Sequence, residues 1–176
     1  MLPYFQPQPE REFPPYTYVP GKFPHPTRDP TGHSFGHQSK PCDPLTSVNA
    51  LGHEEYIWGI RLFDNGYYWE AHESWEQVWH ACGRKGVAAD YLKGLIKLAA
   101  AGVKSREGNP EGVTRHATRS AELLRGVKNA IGVADAEPYG VPLDLLIECA
   151  ERIASRPSEY INTTAAAVVP TIYPLP

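Results

Sequence analysis

Cysteine is scarce in this chain. Its 176 residues hold three, Cys42, Cys82 and Cys149, with no Cys-x-x-Cys pair among them. That number and spacing exclude a disulfide-built scaffold and a structural zinc site, and they suit a reducing compartment. An excess of one charge is also missing. Seventeen Lys and Arg against 20 Asp and Glu leave a formal net charge of -3, which removes the electrostatic footprint of a nucleic-acid binder. Mean hydropathy is -0.41, and no apolar run approaches the roughly 18 residues that cross a bilayer. The opening MLPYFQPQPEREF has neither the basic nor the apolar region of a secretory signal. A Gly-rich phosphate loop, a GxSxG elbow and an RNA-binding aromatic motif are all lacking. The expectation is a cytoplasmic, water-soluble protein with neither nucleic acid nor membrane as partner.

Proline, by contrast, is abundant and uneven: 11 of the 18 prolines lie between Pro3 and Pro44. Each lacks an N–H and fixes φ, so neither a helix nor a central strand can run through this stretch. The same stretch carries Tyr4, Phe5, Phe13, Tyr16, Tyr18, Phe23 and Phe35, too aromatic for a solvated linker. Residues 1–47 therefore read as an extended arm lying on a surface, the chain's own or a partner's. Residues 48–156 read as an antiparallel bundle of about five helices, an all-α fold. The first runs from near Ala50 to Asp64 and stops at Asn65-Gly66. The second covers Tyr67 to about Cys82, and the third, apolar around much of its girth, Val87 to Ser105. Asn109-Pro110-Glu111 opens the fourth with an N-cap, a proline at N1 and an acid in the first turn. The fifth spans roughly Pro142 to Ala154, and residues 157–176 return to a Pro-rich tail read as a docking strap.

All four tryptophans, Trp58, Trp69, Trp75 and Trp79, fall within the first hairpin. On the second helix, Ala71, Trp75, Val78 and Cys82 share one stripe with Tyr68 at its edge. His72, Glu76 and Trp79 lie on one border of that stripe, Glu70 and Ser74 on the other, and Glu73 is turned away from its centre. His72-Glu73-Ser74-Trp75-Glu76 spells HExxE, a relative of the HExxH pattern in which two imidazoles one turn apart hold zinc beside a general base. His72, Glu76 and, another turn along, His80 are thus candidate ligands of a divalent metal. The bland alternative has His72 hydrogen-bonded to Glu76 or to a neighbouring helix. A di-iron site is disfavoured because the paired Glu-x-x-His motifs are absent. Lys97 interrupts the apolar third helix and either reaches solvent or neutralises Glu70, Glu73 or Glu76. His116 and Arg115 can close such a pocket from the fourth helix. His33 and His37 sit in a glycine-containing loop that does not by itself bring them together, and the three thiols read as structural.

These residues resemble a small helical family known as domain of unknown function 309. The resemblance rests on LFDNGYYWEAHESWEQVWHACG (62–83) and YLKGLIKLAAAGVKSREGN (91–109), followed by the apolar spacing of the fourth helix. Its phrase is met at Leu62-Phe63, Gly66, Tyr67-Tyr68, Glu70-Ala71-His72-Glu73, Glu76, Trp79, Gly94-Leu95-Ile96, Ala99-Ala100 and Gly108-Asn109. Asp64, Trp75 and Lys97 depart from it. The resemblance spans about Val48 to Ile153 and implies a compact antiparallel helical fold, but no established activity.

Two functional expectations follow. In the first, the second helix supplies a polar, aromatic-lined pocket for a small ligand or ion. Glu70, His72, Glu73 and Glu76 act as acceptors or ligands, Trp79 as a wall, and Lys97 as countercharge. In the second, the arms join protomers or hold a partner while the Glu/His group only ties helices together. A metal-assisted hydrolase on His72 and Glu76 is a third, more distant reading.

Overall fold

The computed structural model describes residues 10–38, 40–132 and 137–172. Among these there are five α-helices and no strand: α1 (Glu54–Asp64), α2 (Tyr68–Ala81), α3 (Val87–Glu107), α4 (Pro110–Ile131) and α5 (Leu143–Ser155). Tyr4 and Phe5, which the sequence placed on the arm, and the last four residues of the tail lie outside the described residues. The helices follow the all-α expectation, with one displaced start. Residues Ala50–Gly52 form a single 3-10 turn, and α1 begins only at Glu54. The reason is His53, whose extended backbone breaks the helix while its imidazole caps the next one. Nδ1 accepts from Tyr56 N at 3.2 Å and Nε2 meets Asp43 O at 2.8 Å. At α4 the expected cap forms, with Asn109 Oδ1 accepting from Gly112 N at 2.8 Å and Pro110 in the first turn.

α3 is the centre of the bundle and packs against both α2 and α4. Its buried residues, from Ala89 and Tyr91 through Leu98 to Gly102 and Arg106, surround the helix rather than marking one stripe, as its apolar circumference requires. Trp75 is fully buried on α2 and donates from Nε1 to Tyr56 O at 3.1 Å. Two glycines admit the aromatic seam of α2. A Cβ on Gly59 would lie 2.3 Å from Trp75 Nε1, and one on Gly102 would lie 2.4 Å from Tyr68 Cγ. At these crossings a glycine is a matter of space, because any side chain would hold the helices apart.

Both arms dock on the chain's own bundle. Arg11 pairs with Glu54 and Glu55, and Phe13 stacks on Trp58 and Tyr67 with centroids 5.3 and 5.1 Å away. Arg106, fully buried at the end of α3, donates to the carbonyls of Asn162, Thr164 and Ala166 and so holds the C-terminal strap. Tyr68 Oη accepts from Thr171 N at 2.6 Å and Ile172 N at 2.7 Å. The arms also meet each other, Thr17 N donating to Ala167 O at 3.1 Å. No helix among the described residues is long and apolar enough to cross a membrane.

Candidate functional site

The polar residues of α2 fall into two groups by the partners they meet. The first holds Glu70 and Ser74, both buried. Glu70 is 7 % exposed, and three donors from the N-terminal arm satisfy it. Thr17 Oγ1 reaches Oε2 at 2.7 Å, while Tyr18 N and His33 Nε2 reach Oε1 at 2.9 and 3.1 Å. Ser74 Oγ lies 2.6 Å from Glu55 Oε1 and 2.9 Å from Glu55 O, which ties α2 to α1. The arm thus takes the hydrogen-bonding capacity of Glu70, although Glu70 and Glu73 line one cavity.

The second group holds His72, Glu73 and Glu76. Each offers one ligand atom, and these atoms lie within 4.8 Å of one another. Helix geometry explains the set: His72 and Glu76 stand one turn apart, and the longer side chain of Glu73 swings beside the imidazole. His72 Nδ1 is 3.2 Å from Glu73 Oε1, yet the alignment is not that of a hydrogen bond, and this buried nitrogen has no hydrogen-bond partner among the described residues. His80 does not join them. It is exposed and accepts on Nδ1 from Arg84 Nε at 2.8 Å. Trp79 carries two cations over its ring, the Arg84 guanidinium at 5.6 Å and the Lys93 ammonium at 5.7 Å.

Lys97 makes no ion pair with Glu70, Glu73 or Glu76 among the described residues. Its charge acts instead on His116 across the α3–α4 contact. Burial first, then Lys97, Arg115, Lys104 and His72, push the His116 imidazole down to about 4. His116 is therefore neutral at neutral pH, and it stands within electrostatic range of His72. The thiols behave as structural groups, with burial raising Cys42, Cys82 and Cys149 above the ordinary range. His37 is exposed, and His33 turns to Glu70 instead of to it. Sequence reasoning missed the contacts of His33, Thr17 and Tyr18 with Glu70. No local pattern signals a pairing across 37 to 53 residues.

The described residues form an all-α bundle in which α2, carrying His72, Glu73 and Glu76, packs on the apolar central helix α3. Residues 56–116 match the model of the family described as Domain of unknown function (DUF309). The matched segment runs from α1 into the second turn of α4 and is narrower than the Val48 to Ile153 span of the resemblance. It contains every candidate residue from Glu70 to His116 and leaves α5 and both arms outside. No curated protein matches the chain.

Proposed function

We propose that the His72, Glu73 and Glu76 face of α2 binds a divalent cation. The observation that carries this reading is the mutual distance of the three ligand atoms, within 4.8 Å, together with His72 Nδ1, which has no hydrogen-bond partner among the described residues. One imidazole nitrogen and two carboxylate oxygens form a mixed donor set that zinc and manganese accept. Three ligands from consecutive turns of one helix cover one side of an ion and leave the other open. Lys97 then serves as countercharge for the anionic end of a small ligand completing the coordination, and Trp79 as a wall. His116, neutral above about pH 4, adds no cationic imidazole to compete with the ion.

Titration calorimetry of chelator-stripped protein with Zn²⁺ and with Mn²⁺ tests the reading. The expected result is uptake of about one ion per chain, lost in His72→Ala and Glu76→Gln and retained in His80→Ala. Absence of uptake, or uptake that survives His72→Ala, defeats it.

A further inference from the structure

The arm segment from His25 to His37 is fixed by its own hydrogen bonds. Asp29 N donates to His25 O at 3.1 Å, Gly32 N to Asp29 O at 2.9 Å, and Ser34 N to Pro26 O at 3.0 Å. Tyr16 Oη donates to Pro24 O at 2.9 Å and accepts from His33 N at 3.4 Å. This loop delivers the His33 side chain, 6 % exposed, to the buried Glu70 carboxylate. A carboxylate only accepts hydrogen bonds, so His33 Nε2, at 3.1 Å from Glu70 Oε1, carries the ring proton. In the tautomer with its proton on Nε2, Nδ1 is the acceptor. The atom beside Nδ1 is Ser34 Oγ at 2.8 Å, and its hydroxyl therefore donates. His33, Ser34 and Glu70 all line a cavity of about 710 Å³ between this loop and helices α1 and α2. That volume is in the range of small-molecule sites.

We propose that Ser34 is a nucleophile activated by His33, with Glu70 as the positioning residue, and that the cavity accepts a small carboxylic ester. A serine hydroxyl is weak at its own pKa and needs an adjacent base, itself oriented by a third group. Here Glu70 fixes the tautomer, and Thr17 and Tyr18 fix Glu70. In the first step the bond from Oγ to the carbonyl carbon forms while the hydroxyl proton passes to Nδ1. The carbon–oxygen bond to the leaving alcohol breaks, and that alcohol takes the proton. In the second step water gives a proton to the same nitrogen and cleaves the acyl-serine, and Ser34 recovers its hydrogen. Glu70 lies inside the matched family segment, whereas His33 and Ser34 lie outside it. The activity therefore belongs to the arm of this chain, and it uses neither His72 nor Glu76, although Glu73 also lines the cavity.

The test incubates the full chain with a fluorophosphonate probe and follows adduct formation by intact mass and peptide mapping. The expected result is one adduct per chain, on Ser34, absent in Ser34→Ala and formed about 100-fold more slowly in His33→Gln. Ser34→Ala retains every backbone bond of the loop, and a matching thermal melt shows that it folds. In Glu70→Gln the pH profile of labelling shifts, which a purely structural role would not produce. Failure to label, labelling elsewhere, or an unchanged rate in His33→Gln overturns the proposal.

Discussion

Thr17 Oγ1 donates to Glu70 Oε2 at 2.7 Å, joining an arm residue to a helix residue 53 positions later, with both side chains buried. The contact places a carboxylate of the matched family segment at the foot of the proline-rich arm. It makes the arm part of the folded domain.

Removing that acceptor strands three donors. Glu70→Ala leaves Thr17 Oγ1, Tyr18 N and His33 Nε2 without their partner. The expected loss is about 1–3 kcal/mol in urea denaturation, the cost of leaving buried donors unsatisfied. Faster proteolysis within residues 10–38 should accompany it. An unchanged midpoint and an equally protected arm would refute the role given to Glu70.

Glycine substitutions should divide by site. Gly102→Ala drives a methyl to 2.4 Å from Tyr68 Cγ, and overpacking of this kind costs about 1–3 kcal/mol. Gly126→Ala, on α4 with nothing within 4 Å of the added carbon, should stabilise by up to about 1 kcal/mol through helix propensity. Thermal melts of the two variants should therefore move in opposite directions. A stabilising Gly102→Ala contradicts the close crossing of α2 and α3.

His116 gives the fold a pH dependence with a definite sign. Its folded value, about 4, lies below the ordinary 6.5, so between those values the unfolded chain binds the extra proton. Stability from this group is unaffected above about pH 6.5, declines as pH falls toward about 4, and changes no further below that. His116→Gln should flatten the stability profile of the protein in that window. Equal slopes in variant and parent would show that another group carries the effect.

The cation site has a matching stability signature. If Zn²⁺ or Mn²⁺ binds the folded His72, Glu73 and Glu76 face alone, saturating metal should raise the melting temperature, and a chelator should reverse the rise. In His72→Ala the metal-induced shift should vanish while the metal-free melt remains close to that of the parent, because His72 Nδ1 has no hydrogen-bond partner to lose among the described residues. A large destabilisation without metal would make His72 a structural tie instead.

Local chemistry made much of the fold legible. The Asn109-Pro110-Glu111 signal opens α4 where it was read, and the circumferential apolarity of Val87 to Ser105 is that of a central helix, observed as Val87–Glu107. Helical periodicity set His72 and Glu76 on one side of α2, and it set Trp75 in the core at 0 % exposure. Local spacing left open which partner a side chain would meet. Local spacing allowed His80 to extend the His72 stripe, but Arg84 one turn further takes its nitrogen. Glu73, turned from the seam, still reaches His72 because its side chain is long and exposed enough to bend back.

The sequence by itself determined the five helices, the Asn109 cap of α4 and the proline-rich character of the two arms, since these follow from proline geometry, a capping side chain and a 3.6-residue period acting over a few positions. Only the tertiary structure decided what the arms lie on and which donors each carboxylate meets. Glu70 and His33 are 37 residues apart, Thr17 and Ala167 further still, and both contacts arise from the packing of distant segments. No short-range rule contains them, because the free energy that selects such pairs exists only once the bundle has brought its surface together.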